Sequence, residues 1–276
     1  MSLRPAAPKG ARTAARSAQR GGYPMSHDDV LLQAEGVSVR FGGLTAVDSV
    51  DCTLRTGELV GIIGPNGAGK TTFFNAISGV QPPTGGRLRV AGDDLTGKAP
   101  HHFAAHGIAR TFQTPRVFPE MRVRDNLRCG MQFAGRNRPA VAGLANAHEI
   151  LSMLGLDAMA DALAGEITPS QQRLLEIGMA LGTRPRALLL DEVAAGLTEA
   201  EVEAMARRIR RLRDEWQLTV VWIEHAVGTL LRHVERVIVL HQGRKIADAA
   251  PAEVVRHPEV IEAYLGDELA ATGAHA

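Results

Sequence analysis

Residues 64–72 read Gly-Pro-Asn-Gly-Ala-Gly-Lys-Thr-Thr and match the pattern G-x-x-x-x-G-K-[ST] in full. Glycines have no Cβ, so the backbone N–H groups of such a run turn inward around a phosphate group. The lysine reaches β- and γ-phosphate oxygens, and the hydroxyl that follows it takes a Mg²⁺ position. The pattern predicts a phosphate-binding loop formed by Gly64, Pro65, Asn66, Gly67, Ala68, Gly69, Lys70, Thr71 and Thr72.

The segments on either side support this interpretation. Residues 58–64 form a short apolar run that is typical of a buried strand, and residues 72–79 have the pattern of a short helix that stops at a glycine. A helix that starts near Gly69 would point its positive end at the same phosphates. The strand–loop–helix order therefore favours a nucleotide loop over a glycine-rich surface turn.

Composition limits the class of protein. The 276 residues are 45% hydrophobic and 22% charged, as in soluble globular proteins. No apolar run approaches the roughly 18 residues that cross a bilayer, so we expect any membrane role to be peripheral. Cys52 and Cys129 fit no metal-ligand spacing and indicate ordinary thiols in a reducing compartment. We expect no metal other than Mg²⁺ that arrives with nucleotide.

The two ends of the chain differ from the rest. Residues 1–24 contain five basic residues and no acidic one. We predict a disordered basic tail over residues 1–27, with Met25 as a possible true start, and a second tail over residues 267–276. A transit peptide and a contact with anionic lipid are the alternatives for the basic segment.

Periodicity predicts the fold class. Residues 30–60 alternate apolar and polar positions, as in a half-buried antiparallel sheet, and residues 100–182 are largely helical in pattern. Three later apolar runs, at 187–191, 218–224 and 236–240, resemble central strands, and an amphipathic helix over 199–216 joins the first two. We predict an α/β fold with a parallel-sheet core that carries the phosphate loop, an N-terminal antiparallel β subdomain and an inserted helical subdomain, all within residues 28–266.

Two adjacent carboxylates end the first of these strands. Asp191 and Glu192 follow three leucines, 121 positions after Lys70 (191 − 70). Asp191 would hold Mg²⁺, directly or through water, and Glu192 would polarise the water that attacks the γ-phosphate. A strand that ends in acids is a weak signal alone, but paired with a full phosphate loop it is a strong one.

Together these motifs resemble the nucleotide-binding subunits of ABC transporters, over about residues 30–266. The resemblance implies that Gln113, in Ile-Ala-Arg-Thr-Phe-Gln, belongs to the Q-loop near Mg²⁺ and the γ-phosphate, and that His225 contacts the γ-phosphate. It also implies that Phe41 stacks on adenine. The alternatives are a strand-core aromatic for Phe41, a surface amide for Gln113 and a satisfied strand-end histidine for His225.

Within this family the likeness is greatest to subunits of branched-chain amino acid importers, and urea and amide importers use very similar subunits. The segments that carry it are 41–47, 110–118, 194–197 and 260–266. The resemblance implies an ATPase that uses ATP and Mg²⁺ on the cytoplasmic face of the cell membrane. It implies a second ATPase subunit, a permease that contacts residues 114–126, an indirect solute-binding protein and no nucleic acid.

The signature segment departs from the family pattern Leu-Ser-Gly-Gly-Gln. Here it is Ile-Thr-Pro-Ser-Gln over residues 167–171, in which Thr168, Ser170 and Gln171 would face the ATP of a partner subunit. In one interpretation Ser170 crowds the phosphate and closure fails. In the other, which we favour, Thr168 to Gln171 forms a capping box with proline at the first helical position, so the helix still faces the phosphate with reduced efficiency.

The phosphate loop matches its pattern in full and the signature segment does not, and this difference suggests an asymmetric dimer. ABC subunits pair head to tail, so each ATP meets the phosphate loop of one subunit and the signature of the other. We expect a heterodimer whose faster site uses the phosphate loop of this chain. Thr198 in place of an Asp or Asn would weaken signalling across the dimer, and Val193 in place of proline would matter little. The competing classes are a regulatory ATP-binding module and an ABC-type ATPase of translation or DNA repair.

Overall fold

The computed structural model describes residues 30–132, 146–224 and 227–264. The tails predicted at 1–27 and 267–276 lie outside these ranges. Among the described residues, no helix has both the length and the apolar character that crossing a membrane requires.

The N-terminal part of the chain forms a four-stranded antiparallel sheet, as its alternating pattern predicts. The strand order is β2-β1-β4-β5. The strands are β1 (Val30–Phe41), β2 (Leu44–Arg55), β4 (Gly85–Val90) and β5 (Asp93–Asp94).

A six-stranded sheet forms the centre of the molecule, with the order β10-β9-β3-β8-β7-β6. Its neighbours pair in parallel except for β10, which forms an antiparallel hairpin with β9. This sheet confirms the predicted parallel core. Its strands are β3 (Leu59–Ile63), β6 (Ile108–Arg110), β7 (Ala187–Asp191), β8 (Thr219–Ile223), β9 (Arg236–His241) and β10 (Arg244–Ala249).

Helices cover the sheet and fill the insertion. Their bounds are α1 (Lys70–Ile77), α2 (Pro100–Ala105), α3 (Val123–Gln132), α4 (Ala147–Leu154), α5 (Pro169–Gly182), α6 (Glu199–Trp216), α7 (Val227–His233), α8 (Pro251–Val254) and α9 (258–264). A short 3₁₀ turn spans Asp157–Met159.

Each central strand is buried on both faces, and its residues alternate between two cores. In β7, Leu188 and Leu190 pack with the helices of the insertion and α6, whereas Ala187 and Leu189 pack with α1 and the antiparallel sheet. Strand β3 alternates in the same way. This two-sided burial explains why these strands read as continuous apolar runs in the sequence.

Two elements differ from the sequence-based expectation. Strand β6 lies inside the 100–182 stretch that reads as helical, and it pairs in parallel with β7. Three residues are too few to show strand alternation, so only the tertiary pairing identifies β6. Strand β10 is the second difference. It lies at the edge of the sheet and is only partly buried, so its sequence is not a continuous apolar run.

Strands β3, β6, β7 and β8 run in the same direction, so their carboxyl ends meet at one edge of the sheet. In open α/β sheets, ligands bind outside this edge. The segments that leave these four strands are the phosphate loop, the segment that contains Gln113, the Asp191–Glu192 pair and the segment that begins at Glu224.

Candidate functional site

The phosphate loop joins β3 to α1, whose N-cap is Gly69. Gly64 and Gly69 have φ values of +153° and +94°, a region that side chains disfavour. A Cβ at Gly64 would lie 2.1 Å from the carbonyl oxygen of Leu240, and one at Gly69 would lie 2.3 Å from that of Ala46. These two positions therefore require glycine, because neighbouring backbone closes against the outside of the loop.

Lys70 is buried, with 6% of its surface exposed, and its ammonium group lies on the loop itself. Its Nζ donates hydrogen bonds to the carbonyls of Gly64 at 2.6 Å and Pro65 at 2.9 Å. Burial lowers the pKa of Lys70, and the negative charge of Glu192 opposes that shift. The lysine is thus held by neutral oxygens, which a phosphate oxygen can replace with a stronger, charge-assisted partner.

The loop forms one wall of an open cleft of about 720 Å³, a volume within the range of small-molecule and cofactor pockets. Residues 66–72 line it together with Phe41, Gln113 and Glu192. The cleft thus brings together four features that the sequence analysis singled out separately. Its glycine-rich backbone and buried lysine suit a polyphosphate.

Phe41 is the last residue of β1, where a two-glycine turn returns the chain to Leu44 in β2. Its side chain is 48% exposed and lies at the rim of the cleft. A strand-core role is therefore wrong for this aromatic. Its exposed ring suits stacking against a flat, aromatic ligand group.

Gln113 and Glu192 meet within the cleft. The Gln113 Nε2 donates to the Glu192 carboxylate at 2.7 Å, although the residues lie on different segments. Glu192 has φ +49°, a left-handed conformation that costs about 1–2 kcal/mol for a non-glycine residue. Strain of this kind is common at functional sites. Glu192 comes directly after β7, and its N–H donates to the carbonyl of Ile223 at 3.0 Å.

Asp191 lies behind the cleft, is 2% exposed and is absent from the cleft lining. Its carboxylate pairs with Arg110 at 3.2 Å, and its N–H donates to the Thr111 hydroxyl at 3.2 Å. The Arg110 guanidinium also donates to Asn75 at 2.7 Å and Ser78 at 3.0 Å in and after α1. Burial lowers the pKa of Arg110, and Asp191 opposes that shift. This arrangement favours a water-mediated reach from Asp191 to a metal ion over a direct one.

Glu224 is a site-supporting residue that the sequence analysis did not single out. It is 4% exposed, and its Oε1 accepts from the backbone N–H of Ala194 at 2.7 Å and from the Trp222 indole at 3.0 Å. The contact ties the segment after Glu192 to the segment after β8. Its signal in the sequence is an acidic residue at the end of an otherwise apolar strand. His225, the next residue, lies outside the described part of the chain.

The turn between β9 and β10 completes the cleft on the side of the loop. Gln242 and Gly243 line the cleft, although no motif marked them. The Gly243 N–H donates to the carbonyl of Ala68 at 3.1 Å, and its carbonyl accepts from the Asp48 N–H at 2.8 Å. The turn therefore joins the phosphate loop to β2.

The family profile described as ABC transporter matches residues 47–195, more than half of the chain. The chain belongs to the ABC transporter family. It is an ATP-binding cassette ATPase, and the resemblance inferred from the sequence is confirmed. A second profile, described as branched-chain amino acid ATP-binding cassette transporter, matches residues 244–270.

Curated relatives agree with this assignment. The chain is 38% identical over 251 residues to the high-affinity branched-chain amino acid transport ATP-binding protein BraF of Pseudomonas aeruginosa. It is 37% identical over 250 residues to the corresponding protein LivG of Escherichia coli. Each alignment covers 86% of this chain and 98% of the relative.

Solved structures share the fold. The ATP-binding cassette MJ1267 in its ADP conformation is 32% identical, with a TM-score of 0.76 and coverage of 86% of this chain and 99% of that one. A nucleotide-free ATP-binding cassette is 30% identical, with a TM-score of 0.74, over 85% of this chain and 98% of that one. The fold expected for this ABC subunit is thereby confirmed.

The signature residues of the ABC subunit lie outside this cleft, at the start of α5. Thr168 is the N-cap, and it forms a capping box with Gln171: the Thr168 hydroxyl accepts from the Gln171 N–H at 3.3 Å, and the Thr168 N–H donates to the Gln171 side chain at 2.9 Å. The Ser170 hydroxyl lies 3.0 Å from that of Thr168. Ser170 has no positive φ, so the predicted well-formed helix start is present.

The two remaining departures of the ABC subunit have local structural roles. Thr198 is the N-cap of α6 and forms a second capping box with Glu201. The Glu201 pKa is lowered, chiefly by the hydrogen bond that it accepts from the Thr198 backbone, and also by one from the Ser170 side chain. Val193 is fully buried in the core beside β7. Thr198 and Ser170 thus both donate hydrogen bonds to the Glu201 carboxylate.

Tyr264 lies in the C-terminal region that the second profile matches. Tyr264 in α9 packs against the main core, and its buried hydroxyl lies beside the backbone of Gly64 without reaching hydrogen-bond geometry. Burial raises the pKa of Tyr264 to about 12, so the hydroxyl stays neutral. The α9 segment therefore lies next to the first glycine of the phosphate loop.

Proposed function

We propose that this ABC subunit binds Mg·ATP in the cleft, hydrolyses it, and powers import of branched-chain amino acids, or of a similar small polar solute such as urea or an amide, through a separate permease. The observation that carries the hydrolytic part is the Gln113–Glu192 contact at 2.7 Å within the cleft that the phosphate loop lines. The names of BraF and LivG and the match at 244–270 support the solute class.

In this proposal Lys70 and the loop N–H groups bind the β- and γ-phosphates, and Phe41 stacks on adenine. The Thr71 hydroxyl and Gln113 would hold Mg²⁺, with Asp191 reaching it through water. The metal would neutralise charge on the β- and γ-phosphates. The geometry that supports these roles is the exposed ring at the rim and the buried lysine on the loop.

Glu192 would act on the attacking water. Its carboxylate faces the cleft beside Gln113 and is 9% exposed, so it can accept a proton from a water in line with the γ-phosphate. His225, outside the described residues, would contact the same phosphate. A regulatory subunit that only binds ATP would not need this carboxylate–amide pair.

A purified transporter that carries Glu192→Gln tests the hydrolytic proposal. The amide cannot take the proton, so we expect turnover to fall by roughly 100-fold or more while ATP binding persists. Glu215→Gln removes an exposed acid at the far end of α6 and serves as the control. Full turnover in Glu192→Gln would show that this residue is not the base, and the absence of any hydrolysis in the wild type would favour the regulatory alternative.

We further propose that the subunit works as an asymmetric heterodimer on the cytoplasmic face of the membrane, with a second ATPase subunit and a solute-binding protein that acts through the permease. The phosphate-loop half is complete in sequence, and the signature half carries Ser170 in place of glycine. In the assembled heterodimer, survival of most turnover in Glu192→Gln would disprove our assignment of the faster site. Ser170→Gly should raise turnover if Ser170 slows the partner's site.

The permease would dock on the loop between β6 and α3, here called the Q-loop (residues 111–122). The predicted docking segment 114–126 needs a correction at its end: Val123 and Asn126 lie in α3 and are fully buried. The Asn126 side chain accepts from the Phe118 N–H at 2.7 Å and donates to the Phe118 carbonyl at 3.0 Å. Asn126 therefore anchors the loop, while Phe118, 50% exposed, offers docking surface.

A further inference from the structure

Glu176, an acidic residue in the middle of α5, forms hydrogen bonds with the backbone of the Q-loop. Glu176 is 5% exposed, and its Oε1 accepts from the backbone N–H groups of Phe112 and Arg116, each at 3.2 Å. These two amides flank Gln113, one residue before it and three after it. A single carboxylate oxygen therefore holds the backbone on both sides of Gln113.

A second residue on the same face of α5 holds Gln113 directly. Arg173 lies three residues before Glu176, so the two side chains are neighbours on the helix surface. The Arg173 guanidinium donates to the carbonyl of Gln113 at 2.6 Å and to that of Ala195 at 3.4 Å. The helix that starts with the signature residues is thus bonded both to the Q-loop and to the segment after Glu192.

The Gln113 side chain depends on these backbone contacts. It is exposed to the cleft, and its Nε2 donates a hydrogen bond to Glu192 at 2.7 Å. Phe112 beside it contacts two guanidinium groups, with Arg110 at 4.8 Å and Arg116 at 4.0 Å from the ring centroid. A shift of the backbone amides that Glu176 holds would move Gln113 relative to Glu192.

The chemistry of Glu176 is unusual for its surroundings. Its neighbours in the helix, Leu175 and Ile177, are buried in the core. The other oxygen, Oε2, is buried and has no hydrogen-bond partner among the described residues. An acid in such a place costs folding free energy that an apolar residue would not. Glu176 accepts hydrogen bonds from two Q-loop amides, which an apolar residue could not do.

We propose that Glu176 is a positioning residue that holds Gln113 against Glu192 and so links α5 to ATP hydrolysis. Movement of α5 when a partner subunit engages the signature would reach the hydrolytic pair through Glu176 and Arg173. This inference rests on the proposed roles of Gln113 and Glu192.

The test compares Glu176→Leu with Glu176→Gln in the full-length subunit. The glutamine keeps an acceptor oxygen for both amides, and the leucine keeps the volume but accepts nothing. We expect Glu176→Leu to lower the turnover number for ATP roughly 10-fold, with the KM for ATP and the calorimetric affinity for ADP within about 2-fold of wild type. Glu176→Gln should stay within about 3-fold in all three. Met179→Leu, one turn further along α5, is the matched control.

A double-variant cycle separates positioning from a general loss of structure. If Glu176 acts through Gln113, Glu176→Leu should cause little further loss of turnover in a Gln113→Ala background. If the fold-losses of turnover from the two substitutions multiply in the double variant, the proposal is overturned. Wild-type turnover in Glu176→Leu would overturn it as well. Should Glu176→Leu fail to fold, Arg173→Gln removes the surface bond to Gln113 and is judged by the same cycle. Loss of hydrolysis in Glu192→Gln together with full activity in Glu176→Leu would reject this inference while leaving the proposed function intact.

Discussion

The guanidinium group of Arg110 lies 3.2 Å from the carboxylate of Asp191, and both side chains are nearly buried. Arg110 comes from β6 and Asp191 from the end of β7, so the pair joins two adjacent strands at the edge of the sheet where the cleft forms. The same guanidinium reaches Asn75 and Ser78 beside α1. One side chain thus relates the phosphate-loop helix to the strand that ends in Asp191 and Glu192.

Replacing Arg110 with methionine should destabilise the protein strongly. Removing one partner of a buried ion pair leaves a charge without compensation, at a cost of about 3–5 kcal/mol. Arg110→Lys should cost less, but a lysine cannot reproduce the forked contacts to Asp191, Asn75 and Ser78. Urea denaturation measures both. The double variant Arg110→Met/Asp191→Asn should recover part of the loss, and strict additivity would argue against the pair.

Phe41→Ala should weaken ATP binding without unfolding the protein, because the ring is 48% exposed and at the rim of the cleft. Loss of a stacking contact of about 0.5–1.5 kcal/mol corresponds to roughly 2- to 10-fold in the dissociation constant. Phe41→Trp should retain affinity. Titration with a fluorescent ATP analogue measures the change, with Val80→Ala, an exposed position outside the cleft, as the control. Unchanged affinity in Phe41→Ala would rule out stacking.

Glu224→Leu should lower stability and disturb the environment of Trp222. The leucine would leave the Ala194 N–H and the Trp222 indole N–H buried without this acceptor, at about 1–3 kcal/mol for each donor. Glu224→Gln keeps an oxygen in the same place and should cost much less. Urea unfolding gives the free energy, and tryptophan emission reports the indole environment. Equal stability of the two variants would show that the acceptor is unimportant.

Glu176 should make stability depend on pH. Burial raises its pKa from 4.5 to about 7, against the lowering effects of the Arg116 and Phe112 N–H groups and of the Arg173 and Arg116 charges. Between these pH values the folded chain holds a proton that the unfolded chain has lost, so the free energy of unfolding falls as pH rises through this window. Relative to Glu176→Gln, the wild type should lose on the order of 3 kcal/mol between pH 4.5 and 7. Parallel curves for the two proteins would contradict the raised pKa.

The parts of the site that follow one continuous stretch of chain could be predicted from sequence. The phosphate loop, β7 with its two acids and the capping box at Thr168 depend on residues a few positions apart. The bounds of α6 also match the prediction, because its cap, amphipathic face and length all act locally. Local hydrogen bonds and periodicity suffice for these features.

The supporting contacts could not be predicted in the same way, because each joins distant segments. Arg110 and Asp191 are 81 residues apart, and Glu176 lies 60 and 64 residues from the amides that it holds. In the sequence, Glu176 is one acid in a helix, and Glu224 is one acid after a strand. Only the packing of α5 and β8 against the loops of the sheet edge shows which amides these carboxylates face.

The turn at Gly243 also bears on the choice of fragments for experiments. Gly243 lies 175 positions after Ala68 (243 − 68). Its N–H bonds to Ala68 of the phosphate loop, and its carbonyl accepts from Asp48 of β2. A recombinant piece cut to residues 47–195 would contain the loop, Gln113 and Glu192, yet it would lack the turn at Gly243 and both strands that pair with β3, namely β8 and β9. Fragments intended to report on ATP affinity therefore need to run from β1 through β10.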